Sequence, residues 1–230
     1  MPLILNIDTA TEKAGVCLSK DGQVLGMETN PNQKDHAGFI QPAVQRVMSS
    51  VNIPLSSVDA IAVSNGPGSY TGLRVGLSTA KGLCYALHKP LILINTLQVI
   101  ATAAIEALKE SSADHLFCPM IDARRMEVFT AVYDNQLQEV MAPTAMILDA
   151  DSFSAHLRQN KIVFNGSGAA KLEGTIENAN AVFSNAHYDV SHMITTAEKM
   201  VQSALFADIA YSEPFYIKEF FTPLPKLKSD

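Results

Sequence analysis

The chain of 230 residues is 47% hydrophobic and 17% charged, and its 17 Lys and Arg against 23 Asp and Glu leave a formal charge of −6. These values exclude a disordered tail, and 12 Gly with 11 Pro exclude a collagen-like or low-complexity protein. At about 150 residues per domain the length fits one mid-sized domain or two small fused lobes, and the acidic balance argues against a surface built mainly to hold phosphate backbones.

Residues 1–8 carry no basic segment and meet a carboxylate at Asp8, so they read as a buried strand and not as a signal peptide. Residues 15–19 and 24–27 flank Asp21-Gly22, a strong hairpin-turn signal, and three antiparallel strands should open the chain. Over residues 36–51, Phe39, Ile40, Ala43, Val44, Val47, Met48 and Val51 recur at helical spacing, with Gln41, Gln45, Arg46 and Ser49 opposite and Pro42 near the start or at a kink. A strand is expected at 58–64, a helix at 70–87, a strand at 91–94 and a helix at 96–109. This strand-helix alternation implies parallel pairing after the opening meander. The most apolar stretch, 90–108, is interrupted by Asn95, Thr96, Gln98, Thr102 and Glu106, which rules out a membrane span and leaves a soluble chain with no membrane partner.

The second half repeats the first. Ile7-Asp8, a strand and the turn Asp21-Gly22-Gln23 are echoed by Ile121-Asp122, a strand at 129–132 and the turn Asp134-Asn135-Gln136. Downstream, Asn65-Gly66-Pro67-Gly68 is echoed by Asn165-Gly166-Ser167-Gly168 after the apolar run 162–164. A period near half the chain marks a duplicated lobe. The expected partition is a lobe over 1–110, a second over 111–211 that ends in a helix at 197–210 opened by the capping-box pattern Thr195 to Glu198, and an arm over 212–230. The aromatic residues of that arm, Phe215, Tyr216, Phe220 and Phe221, either pack back or meet a partner.

Each lobe opens with a strand that ends in Asp, so Asp8 and Asp122 should lie at the mouth of a cleft, where carboxylates can hold a metal-bound nucleotide. The first turn supplies Thr9 and Thr11. The second, from Asp122 to Glu127, has no glycine to turn its N–H groups onto a phosphate, although Arg124 and Arg125 offer side-chain anion contacts. A nucleotide site and a structural turn both stay open. The loop 66–72 joins a strand to a helix but is neither a Walker A loop nor G-x-G-x-x-G. In the helix after it, Gly72, Gly76 and Ala80 share one face, at a cost of roughly 1 kcal/mol per glycine. That smooth face suits either the protein's own sheet or another chain's helix; beside the broad apolar face of 36–51, it favours a helix-bundle contact with another chain. No nucleophile elbow is present, and the six histidines never pair as H-x-x-x-H, so no catalytic or metal-binding residue is expected. Cys17, Cys84 and Cys118 form no Cys-x-x-Cys pair and read as buried free thiols in a reducing cytoplasm.

At residues 4–11, at Gly66-Pro67-Gly68-Ser69-Tyr70-Thr71-Gly72-Leu73-Arg74-Val75-Gly76, at Ala80-Lys81-Gly82-Leu83, and at Ile121-Asp122-Ala123-Arg124 with Glu127-Val128, the sequence resembles the TsaB (YeaZ) family. The 66–76 block is highly specific, and the motifs follow the family's order over roughly the first 135 residues. Beyond them, the Asn165 to Gly168 loop and the Pro214-Phe215-Tyr216-Ile217-Lys218 tail look similar. The resemblance implies an α/β protein of two ribonuclease-H-like lobes of the actin, Hsp70 and sugar-kinase (ASKHA) type. It implies a non-catalytic, cytoplasmic partner of TsaD, acting with TsaE and threonylcarbamoyl-adenylate to form threonylcarbamoyladenosine beside the anticodon of tRNAs reading ANN codons, with tRNA met through the complex. TsaD holds its metal through two histidines four residues apart on the first helix; here His36 is followed at that spacing by Ile40. In the family the first two helices dimerise with TsaD or, in isolation, with a second copy, which puts Phe39, Ile40, Ala43, Val44, Val47, Tyr70, Gly72, Leu73, Gly76 and Ala80 at the contact. No cofactor is certain; ATP or ADP with magnesium at the partner interface stays open. The alternative is an enzyme of the same fold, an ATP-dependent kinase or ATPase or a glycoprotease-like metallopeptidase. The tail has Lys218 where the family favours arginine.

Overall fold

A computed structural model describes residues 2–30, 35–108 and 114–218. The expected boundary at 110/111 lies outside them, as do Phe220 and Phe221 of the arm.

β1 (Leu3–Asp8), β2 (Ala14–Lys20) and β3 (Gln23–Asn30) form the opening meander. Asp21 and Gly22 both take positive φ, +55° and +72°, the geometry of the two-residue hairpin turn that matches strand twist. α1 (His36–Ser50) follows, then β4 (Ala60–Gly66), α2 (Tyr70–Leu87), β5 (Leu91–Asn95) and α3 (Thr96–Leu108). α2 keeps the expected bounds because both ends are specified: the Ser69 hydroxyl accepts from the Gly72 N–H at 3.3 Å, and His88 closes the helix in the left-handed region. The second half carries β6 (His115–Asp122), β7 (Glu127–Tyr133), β8 (Glu139–Ile147), the single turn α4 (Ser154–Leu157), β9 (Lys161–Asn165), β10 (Ala181–Phe183) and α5 (Ile194–Gln202).

The sheets run β3-β2-β1-β4-β5 and β8-β7-β6-β9-β10, one order used twice. In each, three strands are antiparallel and the last two join in parallel. This is the ribonuclease-H-like arrangement in duplicate, an α/β fold as expected.

β1 and β6 are central in their sheets, and β1 is buried at every position, as a continuous apolar run requires. Leu3, Leu5 and Ile7 face a core with Ile40, Val44, Val47 and Leu77, while Ile4 faces the opposite core with Ile92, Ile194 and Ala197. Each such buried side chain is worth roughly 1.5–3 kcal/mol. Cys17, Cys84 and Cys118 are buried free thiols, pushed up to about 12 by burial.

The halves exchange helices. α3, from the first half, lays Leu97, Ile100, Ala101 and Ala104 on Phe117, Ala131, Tyr133 and Val163 of the second sheet. α5, from the second half, packs Ile194 and Ala197 on the first sheet. A lobe over 111–211 therefore does not describe the packing of its last residues.

The expected helix at 197–210 is also corrected. A 3-10 turn at Val190–Met193 leads directly into α5, capped by Asp189, whose carboxylate accepts from the Ser191 N–H at 2.8 Å. The helix ends at Gln202, and the chain turns at Ala204, φ +51°, so that the Ala207 N–H can donate to Leu91 O at 2.8 Å. No described helix is long and apolar enough to cross a membrane.

Candidate functional site

The two lobe turns and the loop after β4 do converge. Ala10, Thr11, Glu12, Gly68 to Thr71, Ile121 to Arg124, Glu127, Ser167 and Lys218 line an interlobe cavity of about 510 Å³. Asp122 and Arg124 lie in it and are exposed, but Asp8 is buried and lines a separate cavity with Lys13, Tyr188 and Asp189. One Asp8 oxygen accepts from the Ser64 hydroxyl and from the Ala10 N–H at 2.9 Å. Burial raises the Asp8 carboxyl above its ordinary range, with those hydrogen bonds opposing. Asp122 goes the other way. A hydrogen bond from Lys171, at 2.6 Å, holds its carboxylate below the ordinary range.

The hydroxyl donors of the first turn, and a backbone donor of each loop, are already committed. The Thr9 hydroxyl donates to Gly72 O at 2.7 Å, the Thr11 hydroxyl bonds the Tyr188 phenol, and the Ser69 N–H donates to Ala10 O at 2.7 Å. The Arg124 N–H donates to Asp122 at 2.6 Å. Glu12, Asp122 and Glu127 add three carboxylates to the same walls. Among the described residues no group of three His, Cys, Asp or Glu is placed to hold a metal ion. Of the two readings left open for these turns, Asp8, Thr9, Thr11 and Asp122 favour the structural one, since a phosphate would displace bonds the fold itself uses, whereas the Arg124 side chain is exposed. Tyr188 and Lys171, which commit Thr11 and Asp122, carried no local signal, being 177 and 49 residues away along the chain.

The contact residues expected on the first two helices need a similar correction. Ile40, Ala43, Val44, Val47, Leu73 and Ala80 are at most 5% exposed, and Gly72 and Gly76 are buried too. The α1 residues turn toward the sheet, where Ile40, Ala43, Val44 and Val47 join β1 and β2 in one core. The two glycines admit the end of β1: a Cβ on Gly72 would stand 2.0 Å from Thr9 O, and one on Gly76 2.3 Å from the Thr9 hydroxyl. The small-residue face therefore serves the protein's own sheet. Phe39 is half-buried and Tyr70 is exposed. What the helix pair turns outward is a groove of about 700 Å³ whose walls include Gln41, Pro42, Gln45, Ile53, Leu55 and Leu83, with Val44 of the expected contact set reaching its floor. An amphipathic stripe identifies the packed face, and the outward residues follow only from its complement.

His36 is buried, and its Nε2 lies 2.8 Å from Thr11 O, next to the turn. The arm packs back as far as it is described: the rings of Tyr216 and Tyr70 stack at 5.3 Å, and the Arg74 guanidinium lies 4.2 Å over Tyr70.

Residues 23–223 match the family model of TsaD, tRNA N6-adenosine threonylcarbamoyltransferase. The tRNA threonylcarbamoyladenosine biosynthesis protein TsaB of Bacillus subtilis is 31% identical over 150 residues, 64% of this chain and 63% of that protein. Its Escherichia coli counterpart is 37% identical over 131 residues, 56% of this chain and 54% of that protein. The chain thus spans little more than half to just under two thirds of these curated relatives. YeaZ from Pseudomonas aeruginosa superposes with a TM-score of 0.79 at 23% identity, covering 94% of this chain and 100% of that one, and a second Pseudomonas aeruginosa structure, described as similar to peptidase YEAZ, gives 0.82 at 22% over 95% and 100%. At these identities the superpositions carry the fold alone.

Proposed function

The chain belongs to the TsaD-type threonylcarbamoyltransferase family, in its TsaB (YeaZ) branch, and from that premise we propose that it is a non-catalytic subunit of the machinery that forms threonylcarbamoyladenosine in tRNA. It activates a catalytic TsaD-type subunit by docking the outward face of α1 and α2 against it, on tRNAs reading ANN codons. A second copy occupies that face when the chain is alone, TsaE joins the assembled pair, and tRNA is met through the complex in the cytoplasm.

The observation that carries this reading is the groove beside α1 and α2, where exposed Gln41, Pro42 and Gln45 border the half-buried side chains of Ile53, Leu55 and Leu83. The committed cleft donors and the place of His36 support a non-catalytic role. With Ile40 at 0% exposure four residues on, no second imidazole is available for the metal pair that the family resemblance assigns to TsaD.

The test is reconstitution. Purified chain mixed with its TsaD homologue should form a 1:1 complex, and omitting the chain should abolish threonylcarbamoylation of an ANN-reading tRNA. A Gln45→Glu variant, at an exposed position of the groove, should weaken the complex at least tenfold with an unchanged melting temperature, because it buries a carboxylate in the contact. Full modification without the chain, or full affinity in that variant, would overturn the proposal.

A further inference from the structure

We propose that residues 207–218 are a strap along the first lobe that the Lys218–Glu127 ion pair latches across the interlobe cavity, as a releasable contact. The strap starts at the edge of the first sheet, where the Ala207 N–H donates to Leu91 O. It then runs back along α2. Lys81 Nζ donates to Ala210 O at 3.2 Å and Ser212 O at 3.0 Å, and Arg74 Nε donates to the Tyr216 hydroxyl at 3.1 Å. Between these grips the Phe215 N–H donates to Asn65 O at 2.7 Å.

Gly66 makes that crossing possible. Its φ of +118° suits glycine, and a Cβ there would lie 2.4 Å from Phe215 O. A carbonyl of the strap fills the space a side chain would need.

These anchors all belong to the first lobe. The last does not: Lys218 Nζ meets Glu127 Oε1 at 2.5 Å, on β7 of the second lobe. Lys218 and Tyr70 line both the 510 Å³ interlobe cavity and a neighbouring one of about 680 Å³ walled by Asn65, Arg74, Glu213, Phe215 and Tyr216. The end of the strap is therefore the partition between the two.

The anchors weaken along the chain. The first ones use backbone groups, whereas the cross-lobe contact is an ion pair whose lysine side chain is 55% exposed, a kind of contact that salt screens and that contributes little by itself. Releasing it frees the strap's last residues from the second lobe and joins the two cavities, while α3 and α5 still hold the two sheets together.

The experiment uses the full chain with single and paired charge reversals. Lys218→Glu and Glu127→Lys should each raise hydrogen exchange at the Phe215 amide at least fivefold, and the exchanged pair Lys218→Glu with Glu127→Lys should restore it. Spin labels at Ser78→Cys and Glu173→Cys, exposed positions on opposite lobes, should give the parent distance distribution in Lys218→Glu, because α3 and α5 still join the lobes, while the buried native thiols stay unlabelled. Equal melting temperatures check that each variant folds, and Tyr216→Phe, which removes only the hydroxyl held by Arg74, should give a smaller rise in exchange. Native exchange in Lys218→Glu, a broadened lobe-to-lobe distance that shows the effect is not confined to the strap, or no recovery in the exchanged pair, overturns the proposal.

Discussion

The two lobes share a sheet order and little else. On the first sheet, β1 is covered by the 15 residues of α1 and the 18 of α2; in the second half, the helices between the corresponding strands shrink to the four residues of α4 and a 3-10 turn at Ala169–Lys171. Even the loops after β4 and β9 are filled differently. A Cβ on Gly66 would meet Phe215 O of the strap, whereas one on Gly166 would meet Met120 O of the lobe's own central strand, each at 2.4 Å. The opening carboxylates diverge as well, Asp8 buried among its own bonds and Asp122 exposed on Lys171. The lesson is that a duplicated sheet can keep its strand order while its two copies specialise. The first lobe has become a close-packed helical platform, and the second a lighter counterweight.

The strongest way to break that contrast is Gly76→Leu. A side chain there collides with buried Thr9, and we expect a loss of about 3 kcal/mol or more of stability in chemical denaturation. A loss of dimerisation at unchanged stability would instead return Gly76 to the partner face.

Next in size is the pH dependence of the two carboxylates. The Asp8 value in the folded chain lies above the ordinary 3.8, so its stabilising contribution is complete below about pH 4 and is lost as pH rises through the folded value. Asp8→Asn should therefore gain stability relative to the parent between pH 4 and pH 8, read from paired urea titrations. Asp122 has the opposite sign: its contribution is present above 3.8 and is lost as pH falls through its lowered folded value. Because its side chain is 48% exposed, Asp122→Asn should cost only about 0.2–1 kcal/mol near neutrality and nothing in strong acid. The same slope for both variants would erase the distinction between the turns.

An effect of opposite sign and similar size to that of Asp122→Asn is expected for Gly82→Ala. Its position has no heavy atom within 4 Å of an added Cβ, so helix propensity alone should raise stability by about 1 kcal/mol. A loss of fold stability would mean that the crowded part of the α2 face extends beyond Ala80.

Much of this fold is legible in the sequence. Periodicity and turn residues locate β1 to β5 and α1 to α3 closely, because Asp21-Gly22, Ser69 and the apolar stripes act within a few residues of the elements they define. The repeat announces the second sheet through Ile121-Asp122 and Asn165-Gly166. The arm's return was one of two readings, and its aromatic residues named Tyr216 correctly. What failed was direction and distance. A stripe such as Ile40, Val44 and Val47 states that a helix has a packed side, yet the same pattern serves a sheet or a partner, and here the sheet takes it. The Thr11–Tyr188 bond and the Asp122–Lys171 pair join residues with no local relation, so turns that looked available for a phosphate are already filled. The end of α5 was misjudged because the edge of β5, through Leu91, draws the chain away at Ala207.

The exchange of α3 and α5 between the sheets has a consequence for how the molecule comes apart. Each half of the polypeptide carries the cover for the other half's sheet, so neither half severed near residue 110 would keep both faces of its sheet dry. The duplication is visible in the strands, but the helices bind the copies into one cooperative unit, and losing either half exposes the core of the one that remains.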